Sequence, residues 1–281
     1  MLKINFVRLA QYPAPARLGC FVLSLLLLWL PVAAPIYLLL SRDPNLVTIL
    51  TMGLLFAAFL LLLRWWGQKV YQQPQLLGRY GLQGTRQNAK ELFLGLGVGV
   101  LITFSLFGLE GLLGWLVWQP AAIPLPKLIL EGFASALGIG FAEELVFRGW
   151  LLDELERDYR PRVSLLADAF IFALLHFLKP LREIFRTLPG FPGLLLLGLT
   201  LVWAKRGSKG RLGLSIGLHA GLVWGYYIIN VGNLVQFSGQ VSDWITGVDK
   251  NPLAGVTGLV FLSVLAFGMR KRSHSLRSPQ L

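Results

Sequence analysis

The stretch FAEELVFRGW, residues 141–150, places two adjacent glutamates and an arginine inside a long apolar run. A charged side chain within a bilayer costs on the order of several kcal/mol and marks a functional site by default. On a helix Glu144 and Arg148 are four residues apart and share a face, so each offsets part of the other's burial. Glu143 points about a third of a turn away and is left to face a cavity. A carboxylate near water in an apolar surround is what a general base requires. Just upstream, ALGIG (Ala136 to Gly140) is a run of small residues that lets another helix come close. The chain has three histidines, and two lie in apolar runs: His176 in FALLH and His219 in GLHAG.

One carboxylate and two imidazoles suit two chemistries. In the first, Glu143 takes a proton from water, His176 holds the water, and His219 stabilises the oxyanion that develops on a scissile carbonyl. In the second, Glu143, His176 and His219 ligate a divalent metal such as zinc and leave a position open for water. There is no H-E-x-x-H and no second acid placed to make a dyad with Asp168. Asp168 reads as an interfacial residue at shallow depth, and Glu110 and Glu131 as reaching headgroup water. The plainer reading of the charged cluster is a structural ion pair. A lone buried histidine is more often a helix–helix hydrogen bonder, and it is the coincidence of two with an acid pair that favours a site.

Such residues need rigid apolar elements to hold them. Of 281 residues, 55% are hydrophobic and 14% charged, and the mean hydropathy is +0.63. Soluble domains carry about a quarter charged residues. The expected fold is therefore all-α, a polytopic transmembrane helical bundle. The ~20-residue rule gives about eight spans, near 18–40, 46–66, 91–118, 127–152, 164–180, 191–205, 211–231 and 254–269. This divides the chain into two N-terminal transmembrane helices over 1–66, a cytoplasmic linker over 67–90 broken by Pro74 and Gly78, a membrane-embedded core over 91–269, and a basic cytoplasmic tail over 270–281.

The net charge of +12 is a membrane signature here and no sign of a nucleic-acid partner. With the N-terminus inside and eight crossings, 19 of the 26 Lys and Arg fall on the cytoplasmic side, as the positive-inside rule demands. The expectation is a multi-pass integral protein of an inner or plasma-type membrane, both termini cytoplasmic, its first helix retained, and its tail against anionic headgroups. At 1.5 Å per residue, Glu143 lies ~15 Å, His176 ~16 Å and His219 ~10 Å from that side. A topology read from Lys and Arg alone thus brings all three to similar depth, around a shared cavity open to the cytoplasm. The single cysteine, Cys20, cannot form an intrachain disulfide. Trp65, Trp66, Trp115, Trp118, Trp203 and Trp244 sit near span ends, as aromatic belts do.

These residues resemble a known family. EELVFR is similar to the E-E-x-x-x-R motif, FALLH to F-x-x-x-H, and HAGLV to the third motif, H-x-x-x-N/D, of the CPBP intramembrane endopeptidases, the CAAX prenyl protease 2-like or CAAX amino-terminal proteases. The resembling core runs from about 127 to 231 by span boundaries. The resemblance implies an all-helical membrane protease in which Glu143 and His176 activate water and Glu144 and Arg148 support them. His219 would belong to the oxyanion pocket or ligate an ion. Phe172 fills the aromatic position, as packing at the substrate pocket. One departure stands out: Val223 occupies the position where the pattern has Asn or Asp, and valine neither donates to an oxyanion nor binds metal. Ser215, one turn before His219 on the same face, is the candidate replacement donor.

The function expected is therefore an intramembrane endopeptidase acting on a peptide or membrane-protein substrate. The alternatives are a non-catalytic membrane scaffold or bacteriocin-immunity-type factor of the same fold, and a proton-coupled transporter. The last is disfavoured because no inverted repeat is evident.

Overall fold

A computed structural model describes residues 6–275. The main helices are α1 (Ala14–Leu39), α2 (Pro44–Lys69), α3 (Arg86–Leu112), α4 (Leu125–Glu144), α5 (Pro161–Leu175), α6 (Phe191–Arg206), α7 (Gly213–Val231) and α8 (Val256–Ser275). Several starts are written in the chain. Asp43 accepts from the Leu46 N–H and Thr85 from the Asn88 N–H, and Pro44 and Pro161 open α2 and α5, where a missing N–H costs nothing. Two short strands, β1 (Leu116–Trp118) and β2 (Val235–Phe237), pair antiparallel with Val117 opposite Gln236. The span expected over 91–118 thus ends at Leu112, and its last residues form a strand.

Among the described residues six helices are long and apolar enough to cross a membrane: α1, α2, α3, Leu125–Glu156, Leu181–Arg206 and α7. The other two expected spans are α5 and α8. α5 has 15 residues and stops at Leu175 rather than near 180, and Pro180 then caps the start of the next helix, Leu181–Thr187. α8 carries Arg270, Lys271 and Arg272 near its end. The expected tail is helical as far as Ser275, and 276–281 lie outside the described residues.

The chain divides into two units, one made of residues up to Arg79 with Glu154–Asp158, the other of the remainder. In the first, Phe21 meets Phe59 and Trp66 edge-on, with centroids 5.8 and 5.3 Å apart. Trp66, expected in an interfacial belt, is instead buried. Arg17, counted above as a flanking cation, is buried as well. Its Nε lies 2.9 Å from Glu154 Oε2 and its Nη1 3.2 Å from Asp158 Oδ1. Tyr71 donates its O–H to Glu154 at 2.6 Å. Burial, then the adjacent Glu154 charge, pushes its phenol upward.

In the second unit α3 and α7 approach to backbone contact. A Cβ on Gly217 would stand 2.0 Å from the Leu92 carbonyl oxygen, and one on Gly221 2.3 Å from that of Leu96. Glycines on both helices make the approach, since Gly99 faces the Leu222 nitrogen at a built distance of 2.6 Å. This is the small-residue packing that membrane helices use in place of a hydrophobic drive. Gly217→Ala is therefore expected to cost about 1–3 kcal/mol, read as a lowered unfolding midpoint in detergent. A Cβ on Gly140, from the expected small-residue run, would stand 3.0 Å from the Ala220 nitrogen, and one on Gly198 of α6 2.9 Å from the Ala169 Cα of α5. Glu110 does not reach headgroup water. It is fully buried, 2.6 Å from the Thr257 hydroxyl, because the start of α8 covers it.

Candidate active site

After Glu144 the α4 rod widens into a π-helical segment, Leu145–Leu151, and then returns to α-helix over Leu152–Glu156. A widened turn removes carbonyls from the regular ladder and is frequent at functional sites. Here the Arg148 carbonyl accepts from Lys205 Nζ of α6 at 2.5 Å. The segment carries Arg148 to a position with no solvent exposure, as is also true of Glu144. Arg148 Nη1 donates to Glu144 Oε1 at 3.1 Å and Nη2 to the Gly198 carbonyl at 3.1 Å. The guanidinium lies 4.3 Å from the centre of the Phe172 ring, where a cation is attracted to the π face.

His219 comes from α7. Its Nδ1 stands 3.0 Å from Glu144 Oε1. A carboxylate only accepts, so Nδ1 carries the hydrogen and Nε2 is turned the other way, to 3.9 Å from Glu143 Oε2. His176 follows the last residue of α5. Its Nδ1 stands 2.8 Å from the Phe172 carbonyl, one of the orphan acceptors at a helix C-terminus. The same logic puts the hydrogen on Nδ1 and leaves Nε2 facing Glu143 Oε2 at 3.8 Å. The two imidazoles thus converge on one oxygen, which has no hydrogen-bond partner among the described residues. Separations of 3.8 and 3.9 Å are too long for direct hydrogen bonds and suit a bridging water. Glu143 and His176 are about a third exposed, 31% and 32%, whereas His219 is 4% exposed. Solvent touches part of the first two side chains, although Glu143 Oε2 itself is turned inward and buried, and the third is fixed from behind.

The remaining expected residues stand differently. Phe172 is buried, its ring 4.6 Å from that of His176 and 6.0 Å from that of His219, so it separates and supports the imidazoles from within. Ser215 is buried and donates its hydroxyl hydrogen to the Leu212 carbonyl of its own helix at 3.0 Å, which commits the proton an oxyanion donor needs. Val223 lines, with His219, an apolar cavity of about 140 Å³ that Leu106, Leu197 and Phe261 also wall. Neither Glu143 nor His176 lines it, so the cavity shared by all three that depth suggested is not this one. Asp168, read above as interfacial, is completely buried, 3.6 Å from Arg148 Nε. The Gly198–Ala169 contact brings α5 against α6 and closes water away from that face.

For a divalent ion the donor chemistry fits: a carboxylate and two imidazoles whose far nitrogens are already tied to acceptors, the arrangement that orients ligating histidines. The spacing does not yet fit, since among the described residues no three His, Cys, Asp or Glu side chains are grouped to hold one.

Residues 124–225 match the family model described as Rce1-like, type II CAAX prenyl endopeptidase. Over this stretch, about a third of the chain, the sequence is similar to that family. The Rce1-like match begins at the start of α4 and ends within α7, and so takes in Glu143, Glu144, Arg148, His176, His219 and the departing Val223. The matched family is described as one of endopeptidases, and the helices that carry the match lie among those long and apolar enough to cross a membrane or beside them. No curated protein and no solved structure matches the chain.

Proposed function

We propose that the chain is an intramembrane endopeptidase in which Glu143 activates water for attack on a peptide carbonyl. The observation that supports this most is the convergence of His176 Nε2 and His219 Nε2 on Glu143 Oε2, at 3.8 and 3.9 Å. A water held there donates one hydrogen to Glu143 and the other to His176 Nε2. As its oxygen bonds to the carbonyl carbon, the proton passes to Glu143. The C–N bond then breaks, and Glu143 returns the proton to the leaving amine. In this reading His219 acts as the imidazolium, with its Nδ1–H kept on Glu144 and a second hydrogen on Nε2 donated to the oxyanion. The expected substrate is a peptide or membrane protein whose scissile bond reaches the exposed edge formed by Glu143 and His176.

A second reading deserves its own arm, because the tied Nδ1 atoms leave both Nε2 atoms available to a metal. In that reading Glu143, His176 and His219 would hold the ion, which would polarise water or the substrate carbonyl. The experiment is cleavage of a fluorogenic peptide library by the purified protein, with and without chelator. Unchanged turnover after chelation supports the metal-free route. Loss of turnover that zinc restores supports the ion, and no cleavage of any peptide by well-folded protein removes the protease reading in favour of a scaffold.

A further inference from the structure

Asp168 is a buried acid beside the site that the proposed chemistry does not use. It sits on the inward face of α5, two turns before His176, and has no solvent exposure. Neither of its oxygens has a hydrogen-bond partner among the described residues, and Arg148 Nε, 3.6 Å away, has none either. A buried carboxylate held without full hydrogen bonding costs several kcal/mol, so its presence calls for a compensating use. We infer that Asp168 is a positioning residue, which holds the Arg148 guanidinium plane and through it the Glu144–His219 pair. This rests on the hydrolase reading above.

The geometry gives the route. A guanidinium offers three donor edges in one plane. In Arg148, Nη1 is taken by Glu144 and Nη2 by the Gly198 carbonyl, and the third edge, Nε, faces Asp168. The Phe172 ring 4.3 Å away fixes the height of the plane without fixing its rotation. Rotation matters because Glu144 Oε1 serves two donors, Arg148 Nη1 at 3.1 Å and His219 Nδ1 at 3.0 Å. If Arg148 turns, that oxygen moves, and His219 loses the contact that directs its Nε2 toward Glu143. The charges acting on Asp168 are Arg148, Lys205 and Arg206 as cations and Glu144 as an anion. Asp168 therefore draws the Nε edge away from Glu144 and sets the angle of the fork.

The test is steady-state cleavage of the best peptide from the library by wild type, Asp168→Asn, Arg148→Lys and the double variant, with Glu143→Gln as control. Loss of a group that orients a catalytic side chain typically costs about 10–100-fold, so Asp168→Asn should lower kcat by that factor and leave KM within about twofold. Lysine lacks the planar fork, so Asp168→Asn added to Arg148→Lys should change kcat by less than about threefold. Full kcat in Asp168→Asn, or losses that multiply in the double variant, overturn the inference. If Asp168→Asn does not fold, Asp168→Ser replaces it, and failure of both to fold makes the residue structural and also overturns it. Retained cleavage by Glu143→Gln defeats the hydrolase reading itself. Wild-type protein that cleaves nothing defeats both.

Discussion

Replacing Glu143 with Gln is expected to lower kcat by about 10²–10⁴-fold and to leave the protein folded. Glutamine keeps the volume of the side chain and removes its ability to take a proton. Stability is spared because Oε2 has no hydrogen-bond partner to lose among the described residues and the side chain is partly exposed. The loss should appear in kcat, with KM little changed, as for an interaction made only on the way to the transition state. His176→Gln should lose less, since its Nε2 orients the water and Glu143 accepts the proton. Initial rates on one peptide, with unfolding midpoints measured on the same preparations, decide the matter. A Gln variant that turns over at the wild-type rate ends the role assigned to Glu143.

The opposite pattern is expected at Arg148. Arg148→Met leaves Glu144 buried without its cation and the Gly198 carbonyl without its donor. Removing one partner of a buried pair costs about 3–5 kcal/mol, and the unfolding midpoint in detergent should fall accordingly. Adding Glu144→Leu should recover part of that stability, because a buried pair replaced as a whole by apolar groups is often neutral or better. It should not recover cleavage, since His219 then has nothing to hold its Nδ1. Stability and activity thus separate in the double variant. An unchanged midpoint in Arg148→Met would show that the pair carries no structural weight.

Much of this site is legible in the chain. Apolar runs of the length a bilayer demands mark the helices, and the four-residue spacing of Glu144 and Arg148 puts them on one face. Glu143, His176 and His219 are expected at similar depth, and the two imidazoles stand 3.8 and 3.9 Å from the Glu143 carboxylate. The rest depends on neighbours far along the chain. Asp168 looks shallow when only its own helix is considered, and it is buried because Gly198 lets α6 close over it. Trp66 and Glu110 read as interfacial by position, yet Phe21 and Thr257 respectively cover them. Ser215 shares a helix face with His219, but its hydroxyl finds an acceptor within its own turn, a competition that spacing alone does not rank. The widened turn at Leu145–Leu151 holds Gly149 and no Pro, and a lone glycine inside a helical pattern does not announce a widened turn. Its carbonyl is met by Lys205, 57 residues away.

The contact between the His176 ring and the Phe172 carbonyl has a genetic consequence. The acceptor is main chain, so no amino-acid replacement deletes it. The contact itself depends on the count of residues between the two. One residue added to or removed from Ala173–Leu175 would swing the ring by about 100° around the rod and release it. A library of point variants would pass over this dependence, and a library of single-codon insertions and deletions would expose it.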